Sequence, residues 1–441
     1  MPNPPKARSH PESARRRKPS AAAPSAADAE AGTVAKGAAY APAVKAGLHA
    51  TTQRVQEMHQ AVSGHTFDTL LRVPGLSVPT RIVQGVHDAI IHGVYAAVRQ
   101  GTGAAFTLAG GAEQRLAGDA DRTPGAKEQS LRSALNGVFG DALDAMSNPL
   151  AIRMGLHAHG EPLAMTPAVL GTLRPRVLVF VHGLSCDERS WAARPNVWAN
   201  LPAAALPPHG ELADYGSMLE LELPASAVYL RYNTGLALDD NAQALAELLA
   251  GLQGLAPQVN DIVLIGHSMG GLVTRRALTL AADSGMAWPR LVATLICIGS
   301  PHQGAALERL GVLTSAALGL TKTTRPLARI ADARSAGIKD LAHGLKRKKV
   351  HTAVPGRPLA LKLVFGTLGD EADTVLGPLI GQWLGDGLVQ TPSASDRGNE
   401  GDVERCELQG LGHMALLSHP RVYALLRRWL GVAGAQSSAG V

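Results

Sequence analysis

Two hydrophobic periodicities divide this chain. Between residues 41 and 146 apolar side chains recur at helical intervals. Leu48, Val55, Met58 and Val62 form one set, Val83, Val86, Ile90, Val94 and Val98 a second, and Leu131, Leu135, Val138, Phe139, Leu143 and Met146 a third. Steps of three, four and seven put each set on one helix face, so three amphipathic helices are predicted. A polar stretch over 117–130 reads as the loop before the third. From about residue 150 the apolar positions gather instead into short runs separated by helix-length segments. Residues 177–181, 227–231, 262–265, 291–298, 359–365 and 403–408 are predicted strands, and 150–156 and the stretch near Leu163 two short leading ones. Segments 240–252 and 420–429 carry helical spacing. Apolar runs of this length suit strands buried on both faces, and their alternation with helices predicts a mostly parallel sheet with helices on either side.

Composition refines this division. Residues 1–40 are rich in Pro, Ala, Ser and charge and read as a disordered basic tail. The formal charge of the chain is +6, of which residues 1–20 supply +5. The basic balance therefore belongs to the tail, and nucleic-acid binding is not expected. The run Lys346-Arg347-Lys348-Lys349 reads as a solvated loop. The expected organisation is a tail (1–40), a helical N-terminal region (41–146), an α/β domain (147–432) and a flexible end (433–441). Within the third, residues 305–345 carry leucines and isoleucines at helical spacing (Leu307, Leu310, Leu313, Ile338 and Leu341 among them). They predict a helical insertion placed to cap a site.

Three cysteines, Cys186, Cys297 and Cys406, are widely spaced and odd in number, which predicts neither a disulfide framework nor a metal site. No apolar h-region follows the basic start and no apolar run reaches 18 residues. A cytoplasmic location without a spanning helix is the expectation.

The candidate chemistry lies at 266–270, Gly-His-Ser-Met-Gly. A G-x-S-x-G match alone is weak in a chain with 48 glycines. Here a buried-strand pattern precedes it and a helical composition follows, which is the context of a nucleophile elbow presenting Ser268. The amide of Met269, at the start of that helix, would face a developing oxyanion. A serine nucleophile needs a base and an orienting acid, expected downstream in the order Ser, acid, His. His413 lies in a glycine loop directly after the last predicted strand, whereas His419 precedes Pro420 and reads as a helix cap. Two aspartates compete as acid. Asp370 lies nearer the end of a strand, while glycines on both sides of Asp386 would let its turn point inward. A second oxyanion donor is expected after the first strong strand, where Gly183 would let the Leu184 amide face the site. His182 and His267 read as loop-holding residues. Leu184, Trp191 and Leu236, with the 305–345 leucines, are expected to line an apolar pocket.

The set His182-Gly183-Leu184, Gly266–Gly271, Gly299-Ser-Pro-His-Gln-Gly304, Gly385-Asp-Gly-Leu-Val389 and Gly412-His413 resembles the α/β-hydrolase lipases and esterases. It is most similar to the bacterial triacylglycerol-lipase and GPI inositol-deacylase-like branch. The resemblance spans about 175–430 and leaves the tail and the 41–146 helices uncovered. It implies an α/β-hydrolase fold and a serine hydrolase of carboxylic esters. It also implies Ser268 as nucleophile, His413 as base, Asp386 rather than Asp370 as acid, and the Leu184 and Met269 amides as oxyanion hole. No cofactor or metal is implied, and the partner is a small ester or lipid. An acyltransferase or thioesterase would use the same residues. A separate expectation is contact with a lipid surface through the basic tail and the amphipathic 83–98 segment.

Overall fold

A computed structural model describes residues 126–199, 213–305, 335–345, 358–368, 389–396 and 403–433, with single positions 71, 81 and 84. All these residues belong to one compact unit. Apart from those single positions, the helices expected over 41–98 lie outside the described residues, as do residues 306–334 of the expected cap, the basic run 346–349, and both Asp370 and Asp386.

Apart from the leading one, the strands fall at the predicted apolar runs. A hairpin of β1 (Gly155–Ala158) and β2 (Glu161–Pro162) pairs antiparallel with β4 (Ala225–Arg231). The remaining strands are parallel: β3 (Arg176–Val181), β5 (Asp261–His267), β6 (Val292–Ile298), β7 (Ala360–Thr367) and β8 (Val403–Gln409). The order across the sheet is β2-β1-β4-β3-β5-β6-β7-β8. The leading strand starts at Gly155 and not at Leu150. Asn148 caps a turn there through Oδ1, which accepts the Leu150 amide at 2.9 Å, so the first apolar residues are spent on the turn.

Period-two alternation sends successive side chains of the central strands into two cores. Val177, Val179, Val181, Ile262 and Leu264 point to one face, where helices α3 (Leu238–Leu255) and α4 (Met269–Asp283) cover them. Leu178, Phe180, Val263 and Ile265 point to the other, against α2 (Tyr215–Glu222) and α6 (Pro420–Leu430). Each such side chain fully removed from water contributes about 1.5–3 kcal/mol. This explains runs that are apolar throughout: neither face of the central strands meets solvent.

Helix α1 (Ala126–Ala145) begins inside the stretch read as a polar loop. It ends before Met146, which is exposed and not on an apolar face. Ser147 adopts φ 51°, and the amides of Ser147 and Asn148 bond the carbonyls of Asp144 and Leu143 (2.8 and 2.9 Å). That closure turns the chain away before Met146 can pack. The described part of 305–345 contains α5 (Ala336–His343).

Candidate active site

Ser268 follows the last residue of β5 and precedes the first of α4, with φ 53° and ψ −122°. A non-glycine residue there carries about 1–3 kcal/mol of strain, held only if its surroundings impose it. They do. The Ser268 amide donates to Ile298 O on β6 at 2.8 Å, and its carbonyl accepts from Gly271 N at 3.1 Å. Small residues are required on both sides. A Cβ on Gly266 would lie 2.5 Å from the Gly270 carbonyl carbon and the Gly271 Cα, and one on Gly270 would lie 2.6 Å from His182 O. The Ser268 hydroxyl is buried and makes no hydrogen bond among the described residues.

The loop after β3 lies directly against the elbow. A Cβ on Gly183 would come 2.9 Å from Ser268 Cβ and 3.2 Å from His267 Nδ1. His182 stacks on Tyr232 (4.6 Å between centroids), and its Nδ1 donates to Gly183 O at 3.0 Å. Tyr232 donates its hydroxyl proton to His182 O at 2.8 Å. Burial holds the His182 pKa down. The expected role as loop-holder agrees with these contacts.

His413 arrives from beyond β8. Its carbonyl accepts from His267 Nε2 at 3.1 Å, and the two rings lie 4.7 Å apart. A carbonyl only accepts, so His267 is the Nε2–H tautomer. Burial, then His413 itself, push the His267 pKa well below its usual value, which keeps it neutral. The His413 ring also abuts Gly299, where a Cβ would lie 3.2 Å from Nδ1. Gly299 directly follows Ile298, the residue that holds the Ser268 amide. Ser268, His413 and the Gly183-Leu184 loop thus lie at the carboxyl ends of the central strands β3, β5 and β6. His419 caps α6, its Nδ1 accepting from Arg421 N at 3.2 Å.

Two expected pocket residues are core residues. Trp191 is buried edge-on to Phe180 (5.2 Å) and packs behind the elbow, 6.2 Å from the His267 ring. The Leu184 side chain is buried in the same core as Tyr232 and Met269. In both cases the large apolar surface is consumed by the sheet's own cores.

The elbow helix also carries an arrangement that sequence reading missed. Arg275 is buried, and its Nη1 donates to Asp396 Oδ2 at 2.7 Å and to His302 Nδ1 at 2.8 Å. Arginine has no acceptor, so His302 is neutral with its proton on Nε2. Burial and then Arg275 hold its pKa well below normal. The only signal available was an arginine on the buried side of a predicted helix. Among the described residues no group of three or more His, Cys, Asp or Glu side chains could hold a metal ion. Nor is any described helix long and apolar enough to cross a membrane.

Residues 229–332 match the PGAP1-like alpha/beta domain family. That segment carries the end of β4, then β5 with the elbow, and β6, in the parallel sheet described above. The mostly parallel sheet, the helices on both faces and the elbow after β5 make this an α/β-hydrolase fold. The chain is 29% identical over 180 residues to a triacylglycerol lipase of Burkholderia plantarii, covering 40% of this chain and 43% of that protein. It is 32% identical over 114 residues to a triacylglycerol lipase of Pseudarthrobacter phenanthrenivorans, covering 25% and 34%. The chain thus spans less than half the length of either lipase. The crystal structure of Bacillus licheniformis lipase BlEst2 in mature form aligns at TM-score 0.37 and 15% identity, over 58% of this chain and 91% of that one.

Proposed function

We propose that this α/β hydrolase cleaves carboxylic esters through an acyl-enzyme on Ser268. The observation that supports this is the strained, buried serine of the elbow, whose neighbour His267 donates to the carbonyl of His413 from the far end of the chain. In the proposed reaction Ser268 Oγ attacks the ester carbonyl while His413 takes its proton. Asp386 orients the imidazole and stabilises its protonated form. The amides of Leu184 and Met269 stabilise the tetrahedral oxyanion. Collapse expels the alcohol, which takes the proton from His413. Water, activated by the same histidine, then releases the acid. The names of the matched lipases support an ester of fatty-acid type.

A fluorophosphonate probe is expected to label the wild-type protein and leave Ser268→Ala unlabelled; equal labelling of both rejects the nucleophile. Turnover of an ester series of increasing acyl length, with Ser268→Ala as control, gives the substrate preference. Product analysis with added alcohol or thiol acceptors separates hydrolysis from acyl transfer.

A further inference from the structure

Helix α1 is bonded to the loop that holds the proposed oxyanion donor. Ser133, Gly137 and Gly140 follow one another on a single helix face at steps of four and three. A Cβ on Gly137 would lie 2.9 Å from Ser185 Cβ and 3.0 Å from Ser185 Cα, so the loop rests on the bare helix backbone. One turn earlier, Ser133 Oγ lies 3.2 Å from Asp187 Oδ2 and shares its single proton between that oxygen and Gln129 O (3.0 Å). Asp187 is itself tied into the turn Glu188–Trp191: its Oδ1 accepts from Arg189 N and its amide donates to Ser190 Oγ, each at 3.1 Å. On the other side of Gly137, the Gly140 carbonyl accepts from Asn233 Nδ2 at 2.9 Å. The Asn233-Thr234 turn then reaches back to the same loop, with Thr234 Oγ1 accepting from Ser185 N at 3.1 Å. Ser185 is gripped from both sides in the left-handed region, at φ 60°.

Two glycines inside a helix weaken it relative to alanine, so close approach is what they provide. The residue immediately before Ser185 is Leu184. We propose that α1 is a positioning element for the Leu184 amide: by holding Ser185 left-handed, its Gly137 face sets the direction in which the preceding amide points. This rests on the assignment of Leu184 as an oxyanion donor to Ser268.

The test is a double-mutant cycle on the full chain with a p-nitrophenyl ester. Ser185→Gly removes the side chain that an added methyl would strike and keeps the left-handed backbone open to it. Gly137→Ala is expected to lower kcat by about tenfold or more with KM within about twofold. The same change in the Ser185→Gly background is expected to cost less than about twofold. Equal loss in both backgrounds, a loss expressed in KM, or no loss overturns the inference and leaves Ser268 standing as nucleophile. Absence of Ser268-dependent turnover in the wild type overturns both. Should Gly137→Ala not fold, Ser133→Ala takes its place. A kcat lower by about threefold at unchanged thermal midpoint supports the inference, and wild-type kcat overturns it.

Discussion

Ser268 holds a backbone conformation that only its neighbours make affordable, and Gly183 is the one packed against its side chain. The two residues come from different strands, and no atom larger than hydrogen fits between the Gly183 Cα and the Ser268 side chain. Gly183→Ala is therefore expected to displace either the serine or the oxyanion loop. Because displacement near 1 Å at a reacting group costs up to about a hundredfold, kcat is expected to fall by about ten- to a hundredfold. Steady-state kinetics on a variant with native circular dichroism checks this. The elbow glycines and Ser268 were legible in the sequence because they are local: five consecutive residues contain the whole turn. The tautomer of His267 was not, since the carbonyl that sets it belongs to His413, 146 positions away.

Among the elements, α4 does two jobs. Its first residue, Met269, follows the nucleophile, and its buried arginine is the anchor for the segment after β7. The one-turn helix Thr391–Ser395 ends in Asp396, which accepts from Arg275 across 121 residues. Removing one partner of a buried pair strands the other charge in a dry site, at a cost of about 3–5 kcal/mol. Asp396→Ala is expected to lose stability of that order in urea unfolding, whereas Arg275→Met with Asp396→Leu is expected to lose clearly less. A small loss in the single variant would show that water reaches Arg275. The strands and α3 stood out in the sequence because burial on a regular lattice leaves a period. The start of α1 did not, for that helix buries Gln129, Ser133 and Asn136 against loops, and a polar buried face erases the apolar stripe. Polar residues normally mark solvent, so the stretch read as a loop.

At the scale of the whole molecule, the buried histidines tie folding to pH. Burial, and then the Arg231 charge, push the His157 pKa down to about 4. Between 6.5 and that value the unfolded chain binds more protons than the folded one, so stability rises with pH through the window. It is complete above 6.5 and is lost as the pH falls toward 4. His267 and His302 act in the same direction. Burial would raise the Glu188 pKa, but Arg231 outweighs it through a hydrogen bond and its charge and holds it at about 2. Its contribution is present above 4.5 and disappears below that. Unfolding free energy is expected to drop between pH 7 and pH 5, with His157→Leu sparing on the order of 2 kcal/mol of the loss. Urea titrations at the two pH values measure it, and an equal loss in the variant would refute the assignment.

The division between sequence and fold follows the reach of each interaction. Strand positions, the sheet's parallel character and the nucleophile elbow depend on neighbours within a few residues, and hydrophobic period and turn chemistry record them. The meeting of His413 with His267, the Arg275–His302–Asp396 group and the seating of Ser185 on Gly137 depend on which distant segment arrives. A histidine, an arginine or a helical glycine looks the same in the sequence whether it faces water or another loop. Only assembly of the sheet and its covering helices, which brings these segments together, decides between the two.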